Sequence, residues 1–146
     1  MKQSTKWLCI LAITALIFSI KAKAQPFIGM GLGNTITATG GVLVDQFQLS
    51  VNYSHPYSST IKPAVTSLEL GRQIFIGERG SLILSIGAAN CSYSIVENNE
   101  KVSKVKELKP IYSVELGIDK GMGRVSVYGK WCGGVQVGVS IKGFFN

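Results

Sequence analysis

Val135-Gln136-Val137-Gly138-Val139-Ser140-Ile141-Lys142-Gly143-Phe144-Phe145, the stretch before the terminal Asn146, alternates with a period of two. Val135, Val137, Val139, Ile141 and Phe145 share one parity with Gly143, and Gln136, Gly138, Ser140, Lys142 and Phe144 share the other. A β-strand sends successive side chains to opposite faces, so the stretch presents one apolar surface and one polar or small surface. A length of roughly 10 residues is also what a tilted strand needs to cross a bilayer. Soluble and membrane barrels both have one apolar face, and the question is which way it points.

Upstream, Gly and charged turn clusters mark seven more alternating segments, at 25–33, 35–44, 47–54, 64–75, 81–93, 111–119 and 124–132. Ile28, Met30 and Leu32 alternate with Gly29, Gly31 and Gly33, and Phe47, Leu49, Val51 and Tyr53 alternate with Gln48, Ser50 and Asn52. Asp45-Gln46, Gly77-Glu78-Arg79-Gly80 and Lys120-Gly121-Met122-Gly123 read as turns, and residues 55–63, with Pro56 and several hydroxyls, read as a loop. In residues 96–109, Val102, Val105 and Leu108 recur every third position among Lys101, Lys104, Lys106 and Lys109. That spacing is open to a short helical turn or an extended hairpin tip, and the reading favoured is a solvated loop. The whole predicts an all-β, eight-stranded antiparallel up-and-down transmembrane barrel. Ser67-Leu68-Glu69-Leu70-Gly71 and Ser113-Val114-Glu115-Leu116-Gly117 echo each other and suggest equivalent places in the wall.

Residues 1–24 read as a cleavable signal peptide. Lys2 and Lys6 make a basic start, 7–20 is apolar but too short for a stable anchor, and Lys21-Ala22-Lys23-Ala24 offers small residues before Gln25. Cys9 lies too early for a lipoprotein signal. Residues 25–146 then form one barrel domain. Loss of four lysines takes 15 basic residues to 11 against 8 acidic ones, so a formal +7 becomes +3, too mild for a nucleic-acid partner. Cys91 and Cys132 fall in separate strands with another strand between them, two spacings of about 4.8 Å apart, so two small buried thiols are expected in place of a bridge.

Three features bear on the apolar face. With the N-terminus periplasmic, the turns at 45–46, 77–80 and 120–123 are short and periplasmic, while 55–63 and 96–109 are longer and outer, as in outer-membrane barrels. Aromatics gather at two levels: Tyr53, Tyr57, Tyr93, Tyr112 and Trp131 near the outer ends, Phe27, Phe47, Phe75, Phe144 and Phe145 near the periplasmic ends. Parity turns Phe27, Phe75, Phe144 and Tyr93 inward. The polar face holds Glu69, Glu115, Arg124, Lys130 and Lys142 among Ser, Asn, Gln and Gly, as a narrow lumen packed with ion pairs requires. Arg72 shares parity with Leu68, Leu70 and Ile74; either it snorkels to the periplasmic headgroups or a bulge at Gly71 turns it inward, and the bulge is the preferred reading.

By this pattern the chain resembles the small eight-stranded outer-membrane barrels of the outer membrane protein A, outer membrane protein X and opacity-protein class, over its whole length after the leader. The resemblance implies a cell outer-membrane location, lipid and lipopolysaccharide as neighbours, and a last strand, Val135 to Phe145, recognised by the barrel-assembly machinery. Asn146 displaces the aromatic from the final position. On this reading Lys101, Lys104, Lys106 and Lys109 face lipopolysaccharide phosphates from an outer loop.

Chemistry finds little footing. His55 is the only histidine, and it reads as an exposed loop residue; outer-membrane lipid-modifying enzymes place His and Ser two apart, and here Ser58 is three away. Glu69 and Glu115 read as structural ion-pair members, no His/Cys/Asp set has metal-ligand spacing, and Gly29–Gly33 lacks the Lys-Ser/Thr of a phosphate loop. No catalytic residue, cofactor or metal is assigned. The expected function is a non-enzymatic barrel with a structural, surface-interaction or narrow-pore role. The alternatives are an exported soluble barrel, periplasmic or secreted, with a lipocalin- or avidin-like apolar interior, and less favoured, a lipid-modifying enzyme.

Overall fold

The structure, a computed structural model, describes residues 24–56, 64–97 and 100–145. It contains β1 (Ala24–Gly33), β2 (Thr35–Val44), β3 (Phe47–Pro56), β4 (Ala64–Ile76), β5 (Gly80–Glu97), β6 (Glu100–Lys120), β7 (Gly123–Trp131) and β8 (Val135–Phe144). Each strand pairs antiparallel with the next, and β8 returns to β1 from Phe27↔Phe144 to Gly33↔Gly138, closing an up-and-down barrel. Closure matters because a sheet in hydrocarbon has no water to satisfy an open edge. Residues 1–23 of the proposed leader and the greater part of the 55–63 loop lie outside the described residues, while Ala24, the last leader position, opens β1.

One end of the barrel carries the turns at 45–46, 77–79 and 121–122. Asp45, Gly77 and Gly121 take positive φ there (54°, 66° and 62°), a conformation that Gly adopts freely and Asp tolerates. The other end, the hairpin end, has connections at Asn34, 57–63, 98–99 and 132–134. Asn34 alone joins β1 to β2, donating from Nδ2 to the Val135 carbonyl (2.8 Å) and accepting from the Val137 amide (3.0 Å). Short connections therefore occur at both ends.

The apolar parity points outward on every strand, as shown by exposed Ile28, Met30, Val51, Leu70, Ile86, Val114, Val127 and Ile141. Tyr53, Tyr112 and Trp131 stand out on the same surface toward the hairpin end, with the Tyr112 and Trp131 rings 5.8 Å apart. Phe47 and Phe145 stand out near the turn end, while Phe27 is buried inside as its parity requires. Phe75 also has inward parity, yet it is exposed because it lies past the rim.

The structure corrects three local expectations. Residues 96–109 are not a loop: β5 and β6 continue as a two-stranded ribbon, paired from Cys91↔Glu107 to Glu97↔Glu100 with a register shift at Ile95/Val96. Pairing along β5, rich there in β-branched residues and tyrosine, overrides the three-residue apolar spacing of β6. The ribbon rises beyond its neighbours, since β4 leaves β5 at Ala64↔Ser92 and β7 leaves β6 at Tyr112↔Trp131. Gly71 forms no bulge; the register runs unbroken through Gln48↔Gly71 and Phe47↔Arg72, so Arg72 stays on the apolar face beside Phe47. His55 belongs to β3, exposed, with its ring 6.4 Å from Tyr53.

Candidate functional site

The lumen is built on β7. Arg124, Ser126, Tyr128 and Lys130, followed by Cys132 just past the strand, occupy every second position from the turn end to the hairpin end; Arg124 and Ser126 meet groups on the neighbouring strands, while Tyr128, Lys130 and Cys132 reach groups on β2, β4 and β5. Small residues opposite give them space. A Cβ at Gly31 would lie 2.9 Å from the Tyr128 ring and one at Gly138 would lie 2.8 Å from its hydroxyl. Glycine is needed there for the close approach of the ring.

Glu69 on β4 is 3% exposed and holds the centre of one cluster. Its Oε1 accepts from Lys130 Nζ (2.9 Å), Asn52 Nδ2 (2.9 Å) and Ser67 Oγ (2.7 Å), and Oε2 accepts from Ser113 Oγ (2.8 Å). Four donors on β3, β4, β6 and β7 thus meet one carboxylate, which is the condition under which a buried charge is tolerated. Glu115 on β6 centres a second cluster. It accepts from Lys142 Nζ (2.5 Å) and Ser126 Oγ (2.7 Å), and Ser126 Oγ also meets Ser140 Oγ (2.7 Å). Lys142 lies 5.3 Å from the Phe27 ring centre.

Arg124 takes a partner that sequence reasoning missed. It pairs with neither glutamate but with Asp119, directly opposite on β6, through Nε–Oδ1 (2.5 Å) and Nη2–Oδ2 (3.2 Å). Asp119 ends a predicted strand and carried no further mark; the signal was its register opposite Arg124 across the turn at 121–122. Around this pair a recess of about 300 Å³ opens at the turn end, lined in part by Gln73, Phe75 and Phe144. The echoed segments prove equivalent in part: Ser67 and Ser113 both donate to Glu69, whereas Glu115 uses Ser126.

Tyr128 is the other missed lumen residue. It is buried, and its hydroxyl lies 3.3 Å from Thr37 Oγ1, which meets Ser54 Oγ at 3.0 Å. The ring lies between the Glu69 and Glu115 clusters, and with them fills the bore. This polar filling rules out the apolar interior on which the lipocalin-like alternative rests. Toward the hairpin end the lining turns apolar, where Val65, Ala89, Ile111, Cys91 and Cys132 form a buried cluster. Both thiols are buried and unbridged, as expected, yet they touch, Sγ to Sγ 3.0 Å. Two strand steps measured along the wall overstate their separation, because inward-pointing side chains on a tightly curved wall converge.

The four lysines expected on an outer loop lie on β6 instead. Lys106 is exposed, and Lys109 pairs with Glu107 (2.8 Å) near the Gly133 bend. Lys101 and Lys104 lie further along the ribbon.

No protein-family model matches the chain. No curated protein matches its sequence. Among solved structures it is similar to Neisserial surface protein A, with a TM-score of 0.61 and 7% identity over 84% of this chain and 94% of that one. It is also similar to a chain described under the de novo design of transmembrane beta-barrels, with a TM-score of 0.56 and 15% identity over 84% and 94%. The de novo designed TMB2.3 gives a TM-score of 0.50 and 16% identity over 84% and 91%. At such identities the likeness is one of fold, and the fold is the eight-stranded transmembrane β-barrel.

Proposed function

We propose that the chain is a non-enzymatic outer-membrane barrel whose filled bore makes it a rigid support for the β5–β6 ribbon. One observation carries this reading: a closed wall bears apolar side chains outside and ion pairs inside. In water such a surface is an association liability, whereas in hydrocarbon it is solvated. Strands of about 10 residues, tilted, match the apolar thickness of a bilayer. The turn end then faces the periplasm and the ribbon faces outward, with β8 as the strand presented to the assembly machinery.

Fractionation tests the location. The protein is expected in the detergent-soluble outer-membrane fraction, running faster on a gel before boiling than after. Recovery as a soluble periplasmic protein would overturn the proposal.

The basic residues of the outward ribbon, Lys101, Lys104, Lys106 and Lys109, are the candidates to meet lipopolysaccharide phosphates, by charge and by their place on β6. Changing all four to Gln should reduce the lipopolysaccharide retained through purification. Unchanged retention contradicts this contact.

A further inference from the structure

We propose that Cys91 and Cys132 form a thiol-oxidation site, in which a disulfide ties the base of the outward ribbon to the β7–β8 bend. The inference rests on export of the chain, proposed above, because exported proteins meet an oxidising compartment.

Three observations carry it. The sulfurs already touch at 3.0 Å, and a disulfide is about 2.05 Å long, so closure needs a shift of only about 1 Å. The two residues also differ in freedom. Cys91 is fixed within β5 by pairing to Val65 and Glu107, whereas Cys132 lies in the bend before Gly133, with φ of 65°, and Gly134, whose surroundings are open. The pliable partner can supply the shift. Finally, Val65, Ala89 and Ile111 bury both sulfurs, so the exchange takes place as the barrel assembles, before these side chains close over the thiols, and a bond once made is shielded from reductants.

The oxidant is a disulfide-bearing molecule, protein or small. One cysteine thiolate attacks a sulfur of that disulfide, forming a mixed disulfide and expelling one oxidant thiolate. The second cysteine sulfur attacks the protein-side sulfur and expels the other. Two protons and two electrons leave the protein, and the oxidant ends as two thiols.

Tryptic digestion without reductant reads the outcome. Cleavage at Arg79, Lys101, Lys130 and Lys142 releases Cys91 in residues 80–101 and Cys132 in 131–142, neither containing Cys9. Protein taken from the envelope, blocked with an alkylating agent on lysis, should yield these peptides mainly as one linked pair, lost on reduction. Purified, reduced protein, unfolded and then refolded in detergent with glutathione disulfide present, should yield the same pair, and a Cys132→Ser variant should not. Both cysteines remaining fully alkylatable after glutathione disulfide would overturn the proposal. A bond made in vitro but missing from envelope protein overturns the modification in the cell and leaves the membrane reading, tested by fractionation, intact.

Discussion

Lys130 on β7 crosses the bore to Glu69 on β4, Nζ to Oε1 at 2.9 Å, so the contact braces opposite parts of the wall and does not run along it. Both partners are at most 10% exposed, and in that setting the isolated charge costs more than the pair gains.

Lys130→Met should therefore destabilise the barrel by about 3–5 kcal/mol, because Glu69 keeps its neutral donors but loses its cation. Combining it with Glu69→Leu should recover much of the loss, since no buried charge is left over. Denaturant titration of the detergent-folded barrel measures both. A double variant as unstable as the sum of the singles would contradict a direct coupling.

Tyr128 and Gly31 make a steric pair. Gly31→Val places atoms inside the space of the ring and should cut the yield of folded, fast-migrating band sharply. Tyr128→Ala in the same chain should restore it by vacating that space. Failure of the second change to rescue the first would place the fault elsewhere in β1.

The same ring and the Glu69–Lys130 pair close the bore. Single-channel recording of the native barrel should show little or no current, and Tyr128→Ala with Lys130→Ala and Glu69→Ala should raise it. Small eight-stranded barrels have interiors filled by side chains, so removing filler is the direct route to a water path. Equal conductance in both proteins would locate the constriction elsewhere, at the Glu115–Lys142 or the Cys91–Cys132 level.

The outward face predicts a depth-dependent response. Val139→Arg, in the middle of β8, should cost about 2–4 kcal/mol, the expected penalty for a midplane cation. Arg72 lies level with Phe47 beside the 45–46 turn, where its long chain reaches the headgroups, so Arg72→Leu should change stability little. A large loss from Arg72→Leu would show that its guanidinium makes a specific contact.

The period-two segments were legible because each strand meets lipid on one side and the packed bore on the other, so nearly every position is constrained. Outside the ribbon, the predicted strand limits coincide with the observed ones or drift by one or two residues, where exposed pairs contribute little. The ribbon was illegible for the converse reason: above the rim β5 and β6 have no wall on either side, so no two-sided environment imprints alternation, and backbone pairing alone holds them. Arg72 misled because its parity looked like an error, when a long side chain near a rim violates nothing. Partner choice within the bore was harder still. Parity placed Glu69, Glu115, Arg124, Lys130 and Lys142 inside, but which cation meets which acid depends on tilt and curvature, and Asp119 captures Arg124 simply by being opposite it.

The order of the charges along the chain has a temporal meaning. Glu69, Asp119 and Glu115 lie on β4 and β6, while their partners Lys130, Arg124 and Lys142 lie on β7 and β8. A chain with only its first six strands assembled holds three carboxylates and none of these three cations. Such an intermediate must keep its inner surface hydrated, because dehydrating an unpaired carboxylate is prohibitive. Arrival of the final hairpin delivers all three counter-charges at once. Expulsion of water from the bore and closure of the wall are then a single event, and a chain cut after β6 is left unable to dry.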